Sequence, residues 1–69
     1  MATVKVIELV GTSTKSWHDA VQDGLKEASK TLQGISGIDV LSTTAVVKDN
    51  KITEYRATVK VAFLLERRK

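Results

Sequence analysis

The stretch from Ser16 to Gly34 most constrains the fold, because it is the one segment of the chain with helical periodicity. Apolar residues recur there at spacings of three and four, and polar residues fill the positions between them. This pattern predicts one amphipathic helix, with Ser16 as its N-cap and Gly34 as its stop. Every other element must be a strand or turn arranged against its apolar stripe, which comprises Trp17, Ala20, Val21, Leu25, Ala28 and Leu32.

Two residues of this helix carry further predictions. Asp19 follows Ser16 at the spacing of a capping box and places negative charge at the positive end of the helix dipole. Gly24 lies on the apolar side, where it costs about 1 kcal/mol in helix propensity relative to alanine but lets another backbone approach. We therefore expect a close contact between helix and sheet at Gly24.

A chain of 69 residues is predicted to form one domain, residues 1–69, with a core too small to contribute much net stability. It has no cysteine and one histidine, so neither a disulfide nor a structural zinc site is expected to stabilise it. Association with other copies of the chain is the remaining source of stability. The sequence shows no apolar run near the roughly 18 residues of a membrane span and no secretion signal, so we expect a cytoplasmic protein without membrane contact.

The net charge of +3 raises the question of a nucleic-acid partner. The whole excess lies in Arg67, Arg68 and Lys69 at the carboxyl terminus, with no aromatic residue among them for base stacking. A solvated tail is favoured over weak adhesion to polyanions. We therefore expect no nucleic-acid partner.

The first predicted strand, Thr3 to Val10, is apolar on both faces. Val4, Val6 and Val10 alternate with Ile7 and Leu9. One helix covers only one face of a small sheet, so the second face indicates a partner subunit. Gly11 to Thr14 follows as the turn into the helix, and a phosphate site there is disfavoured because the spacing and lysine of a phosphate loop are missing.

Two longer strands follow the helix, joined by a two-residue turn at Asp49 and Asn50, which both tolerate positive φ. Alternation in the strand from Ile38 to Lys48 places Val40 and Ser42 on the same side. In the strand from Ile52 to Leu65, alternation directs one set of residues to the helix and the other set away from it. The first set comprises Tyr55, Ala57, Val59, Val61, Phe63 and Leu65, and the second comprises Glu54, Arg56, Thr58 and Lys60.

These elements predict the α+β class with a β-α-β-β order and a three-stranded antiparallel sheet wrapped around one helix. The third strand should be central. It is longer than the usual five or six residues, so it should bend around the helix or extend towards another subunit.

No catalytic constellation is visible in the sequence, and an enzyme is not expected. His18, the only histidine, lies on the polar helix face, where a surface role is favoured over a role as a base. Asp19, Asp23 and Glu27 form a helical row of carboxylates that Lys26 and Lys30 can pair with. A solvated face is favoured, and the alternative is a calcium or other hard cation bound where several subunits meet.

Trp17 has two interpretations. It can cover the core at the start of the helix, or it can stack on a ligand. The first interpretation is favoured.

Three segments in order, VKVIELVGTSTKSW, KTLQGI and ITEYRATVKVAFLL, resemble the dodecins over essentially the whole chain. The resemblance implies a hollow homododecamer that binds flavin pairs between subunits and stores flavins such as riboflavin and FMN without catalysis. It also implies a binding position just before the second strand, where flavin-binding dodecins have a stacking tryptophan and this chain has Gly37. A second implied position follows an aromatic residue in the third strand, where they have a glutamine and this chain has Arg56.

Arginine can stack on a flavin and donate to it but cannot accept a hydrogen bond from it. Two hypotheses follow. One is a dodecin-like protein that binds and stores flavin or a phosphorylated nucleotide-like cofactor against Arg56. The other is a flavin-free structural assembly, stabilised by calcium or other ions between subunits.

Overall fold

The computed structural model describes residues 3–65, which form one helix packed on one sheet. Strand β1 spans Thr3–Ser13, helix α1 spans Trp17–Ser29, strand β2 spans Ile35–Lys48 and strand β3 spans Lys51–Leu65. The sheet is antiparallel with the strand order β1-β3-β2. The predicted α+β class, the β-α-β-β order and the central third strand are confirmed. Arg67, Arg68 and Lys69 lie outside the described residues.

The start of α1 agrees with the predicted cap. The side chain of Ser16 accepts a hydrogen bond from the backbone amide of Asp19 at 3.0 Å, which satisfies one of the free donors of the first turn. The Asp19 carboxylate accepts a hydrogen bond from Ser13 Oγ at 2.8 Å. The cap therefore also ties the end of β1 to the start of the helix.

The predicted end of the helix at Gly34 is wrong, because α1 ends at Ser29. The Ser29 hydroxyl bonds back to the preceding turn of the helix, which competes with continued helical geometry. The amide of Leu32 still donates to the Ala28 carbonyl at 3.0 Å, so a final turn follows the regular helix. Gly34 has a φ of +74° and turns the chain into β2. Within residues 3–65, no helix is long and apolar enough to cross a membrane.

The core between α1 and the sheet is built mainly from small side chains, and Phe63, at 7% exposure, is its one large buried residue within residues 3–65. Val59 and Val61 of β3 are the largest side chains that are fully buried within residues 3–65. Leu25, which the helical pattern assigns to the apolar stripe, is only partly buried and lines an open groove beside Ile35. The core cluster comprises Ala20, Ala28, Ala57, Val59 and Val61, with Ile7, Leu9, Val21, Leu32 and Ile35 packed around it.

Two glycines bring α1 and β1 into backbone contact. A β-carbon on Gly24 would lie 2.9 Å from Leu9 Cδ1 and 3.6 Å from the α-carbon of Gly11. A β-carbon on Gly11 would overlap the carbonyl oxygen of Ala20 and lie 2.9 Å from the amide nitrogen of Gly24. The predicted close contact at Gly24 is confirmed, and its partner is Gly11.

The expected turn at Gly11 to Thr14 mostly belongs to β1, which continues to Ser13. The amide of Thr12 donates to a carboxylate oxygen of Asp23 at 3.3 Å. Because a carboxylate already holds this amide, the structure gives no support to a phosphate site in this segment.

The β2–β3 hairpin closes through Asp49 and Asn50, with φ values of +52° and +63°. Positive φ at both residues matches the predicted two-residue turn. β1 pairs only with Tyr55–Leu65 of β3, so the tip of the hairpin extends past β1. The molecule is 57 Å long, whereas a 13-residue helix covers about 20 Å.

A β-bulge changes the predicted faces of β2. Val40 pairs with Val59 and Ser42 pairs with Thr58, so the register shifts by one residue at Leu41. Val40 and Ser42 therefore lie on opposite faces, which corrects the simple alternation. Val40 faces the helix side but remains 46% exposed, because α1 packs mainly on β1 and β3.

Candidate functional site

The sheet surface that points away from α1 is the candidate functional surface, and we call it the outer face. Directly paired residues of antiparallel strands project to the same side, so the register defines its members. Arg56 belongs to it, as alternation predicts, because its neighbour Ala57 is buried on the helix side. The outer face comprises Val4, Val6, Glu8, Val10 and Thr12 of β1, Gly37, Asp39, Ser42, Thr44 and Val46 of β2, and Glu54, Arg56, Thr58, Lys60, Ala62 and Leu64 of β3.

A charged row divides the outer face into two different halves. Lys60 on the central strand lies between Glu8 on β1 and Asp39 on β2. One half is apolar, and the other carries hydroxyl groups and a guanidinium together with Val10 and Val46. The apolar end comprises Val4, Val6, Gly37, Ala62 and Leu64, and the polar end comprises Thr12, Ser42, Thr44, Arg56 and Thr58.

Gly37 forms a gap in the apolar end. It pairs with Ala62, and a β-carbon built on it would have no atom within 4 Å. A pocket of about 230 Å³ lies here, walled by Val6 and Ala62 on its apolar side and bordered by Asp39 and Lys60. The walls suit the edge or face of a planar ring, but the pocket provides no aromatic ring for it to stack on.

Arg56 lies in the polar end, in one row with Thr12 of β1 and Thr44 of β2. Its Nε donates to Glu54 Oε2 at 2.7 Å, within the range of a strong charge-assisted hydrogen bond. The Arg56 side chain is 50% exposed and the Glu54 side chain 34%. The guanidinium is therefore oriented by a neighbour on the same face while much of it stays accessible.

Gly37 and Arg56 do not come together within one subunit. Gly37 pairs with Ala62, which lies six residues along β3 from Arg56. An antiparallel strand rises about 3.4 Å per residue, so six residues span about 20 Å. This distance is longer than a fused three-ring system. A single planar ring can contact both positions only if they come from different subunits.

Trp17 lies on the helix side of the sheet, opposite to the outer face. Its Nε1 donates to the backbone carbonyl of Thr44 at 2.8 Å. Its ring meets Tyr55 edge to face, with centroids 4.8 Å apart and planes at 76°. Trp17 therefore connects the start of α1 to β2 and β3 through these two contacts. It remains 40% exposed.

Replacing Trp17 with phenylalanine tests how much these contacts stabilise the fold. Trp17→Phe keeps an aromatic contact with Tyr55 but removes the donor to the Thr44 carbonyl. We expect the free energy of unfolding to fall by about 0.5–1.5 kcal/mol in urea denaturation. His18→Phe, at an exposed site on the same helix turn, is the control and should change stability by less than about 0.5 kcal/mol.

The three carboxylates in the row on α1 each form a hydrogen bond or an ion pair with a nearby residue. Asp19 bonds Ser13, Asp23 bonds the Thr12 amide, and Glu27 pairs with Lys30 at 3.0 Å. The predicted pairing of Asp23 with Lys26 is not formed within residues 3–65. In that part of the chain no group of three or more potential metal ligands comes together in one subunit. His18 is exposed on the helix.

Two features of the outer face were missed by sequence reasoning. The Glu54–Arg56 pair was detectable, because residues two apart in a strand share a face. The row of Thr12, Arg56 and Thr44 was not, because it depends on the register of three strands and on the bulge at Leu41.

The chain and its fold resemble known proteins over nearly their full length. The dodecin family profile matches residues 3–66. A dodecin of Thermus thermophilus is 34% identical over 62 residues, which cover 90% of each chain. The structure of dodecin from Streptomyces coelicolor has a TM-score of 0.92 at 28% identity and covers 97% of this chain and 96% of that one.

A further similar structure is calcium dodecin from Mycobacterium tuberculosis, described as a calcium-chelating immunodominant antigen with a novel calcium-binding site. It has a TM-score of 0.82 at 28% identity, with coverage of 97% of this chain and 96% of that one. The family match spans nearly all of the sequence, and the strand order and helix agree with it. This chain belongs to the dodecin family.

Proposed function

We propose that this protein binds a flavin or another planar, phosphorylated, nucleotide-like ligand between copies of itself and stores it without catalysis. The observation that carries the proposal is the divided outer face. Its apolar end has a gap at Gly37 and its polar end carries Arg56, about 20 Å away along β3. Two subunits that each supply one end would enclose a ligand that a single subunit cannot.

Exposed apolar residues support the assembly part of the proposal. Val4, Val6 and Val10 of the outer face are 54%, 49% and 54% exposed in the single chain. Each Å² of apolar surface removed from water contributes about 25 cal/mol, so covering this face stabilises the subunit as well as the complex. The core of small side chains makes that contribution important. A hollow homododecamer, the assembly of the family, is the proposed form.

The chemistry of the two ends supports a planar ligand with polar substituents. The walls formed by Val6 and Ala62 suit a ring, and a bound flavin would supply a flat aromatic surface and a hydrogen-bonding edge. Arg56 can donate to a polar substituent of the ligand, and the hydroxyl groups of Ser42, Thr44 and Thr58 can donate or accept. Because Gly37 offers no ring for stacking, we propose weak binding of riboflavin by the unmodified protein.

Light scattering tests the assembly. At micromolar concentration we expect a mass near twelve times that of one chain, because the outer face is covered only in the oligomer. Val6→Glu should lower the mass, since it places a charge in the apolar end, whereas Lys30→Gln, at the residue that follows α1, should leave it unchanged. A folded monomer of the unmodified protein would rule out the proposed assembly.

A structural assembly stabilised by calcium is the second proposal, supported by the similar calcium dodecin. The carboxylates of one subunit do not form a site, so such an ion would lie between subunits. A mass that falls with a chelator and recovers with calcium would favour it. A flavin absorbance band in freshly purified protein would instead favour flavin storage.

A further inference from the structure

We propose that Arg56 recognises a phosphate group, so that the protein selects phosphorylated over unphosphorylated forms of its ligand. This inference rests on the proposed binding function and adds the ligand group that Arg56 contacts and the selectivity that follows from it. It assigns Arg56 a role different from that of a neutral hydrogen-bonding residue at the same position.

The geometry of Arg56 leaves its two terminal nitrogens available. Arginine has five N–H donors in a planar fork, and only Nε is used, by Glu54 at 2.7 Å. Within residues 3–65 no other side-chain hydrogen bond involves Arg56. Both Nη groups can therefore donate together to two oxygens of one phosphate, the bidentate contact that arginine favours.

Glu54 acts as a positioning residue for this contact. It lies on the same face two residues away and holds the guanidinium from the Nε side. Fixing the fork in advance reduces the side-chain entropy lost when the ligand binds. The negative charge of Glu54 opposes an anion, so this residue orients Arg56 at some cost in electrostatic attraction.

Hydroxyl residues lie beside Arg56 on the outer face, which also places Val10 and Val46 in the two adjacent rows. Thr12 and Thr44 lie in its own row, and Thr58 and Ser42 lie in the next one. A phosphate has more acceptor oxygens than one guanidinium satisfies, and hydroxyls are suitable donors for the rest. The nearest cation along β3 on this face is Lys60, four residues away, so Arg56 dominates the local positive charge.

FMN and riboflavin are suitable probes, because they share the ring and the ribityl chain and differ only in the phosphate. Binding is measured by the fluorescence anisotropy of each flavin in the presence of the intact oligomer. We expect the unmodified protein to bind FMN at least about tenfold more tightly than riboflavin at low salt. The preference should shrink as salt rises, and inorganic phosphate should displace FMN.

Three variants make the test specific. Arg56→Gln should reduce the FMN preference to about onefold. Glu54→Gln should keep or raise the preference, because the amide oxygen can still accept from Nε while the opposing charge is gone. Lys30→Gln also removes one positive charge, at the residue that follows α1, and should leave the preference unchanged.

The possible failures are distinguishable. Equal binding of FMN and riboflavin, or an FMN preference that survives Arg56→Gln, would overturn the phosphate role and leave the binding function standing. Absence of binding for both flavins at millimolar concentration would overturn the flavin-binding function itself.

Discussion

Gly11→Ala should lower the free energy of unfolding by about 3 kcal/mol or more, a large effect for the addition of one methyl group. The new β-carbon would overlap the Ala20 carbonyl oxygen and lie 2.9 Å from the Gly24 amide nitrogen. Both obstacles are backbone atoms, so no side-chain rotation relieves the clash. The helix would have to move away from β1, and the small buried side chains around Ala20 would lose contact.

Gly37→Ala is the matched control, because it adds the same methyl group to a glycine in another strand of the same sheet. Its β-carbon would meet no atom of the same subunit within 4 Å. We expect a change within about 1 kcal/mol, since alanine restricts the unfolded chain more than glycine does. Urea denaturation at one fixed protein concentration measures both variants. Equal destabilisation by the two would show that the contact between α1 and β1 is assigned wrongly.

Gly37→Trp should strengthen riboflavin binding by about one to two decades, and Gly37→Trp with Arg56→Gln should strengthen it further. Stacking of a base on an aromatic side chain contributes about 1–3 kcal/mol, which sets the size of the main effect. A β-carbon at Gly37 would meet no atom of its own subunit within 4 Å, so a substitution there starts from open space in the subunit. Glutamine at position 56 adds an acceptor that arginine lacks.

Quenching of flavin fluorescence provides the measurement. Titrations of the unmodified protein, both single variants and the double variant separate the two contributions and their coupling. Most of the gain should come from the tryptophan. If the unmodified protein quenches riboflavin fluorescence at nanomolar concentration, the prediction that Gly37 and Arg56 make riboflavin binding weak is wrong. Trp17→Phe is then the first variant to examine, because Trp17 is the only tryptophan in the chain.

Local patterns in the sequence predicted the type and order of the elements correctly. The alternation in β3 directs Val59 and Val61 to the helix and Arg56 away from it. The turn at Asp49 and Asn50 was predictable because few residues accept positive φ. These features depend on residues close together in the chain, where sequence patterns are most reliable.

The end of the helix and the faces of β2 were predicted less well. The apolar spacing continues to Leu32, but the regular helix ends at Ser29, where a hydroxyl bonds back to the helix. The alternation of β2 looks continuous through Leu41, but a bulge there puts Val40 and Ser42 on opposite faces. A bulge is set by pairing with β3, which no pattern within β2 records.

The sequence alone determined the α+β class, the order of the elements, the helix N-cap at Ser16 and the position of Arg56 on the outer face. Each follows from periodicity or from the backbone preference of individual residues. Only the tertiary structure decided that Gly11 is the partner of Gly24. It also decided that Gly37 and Arg56 lie at opposite ends of the outer face. Contacts between strands depend on register, and register is set by side chains distant in the chain that pack together when the sheet forms.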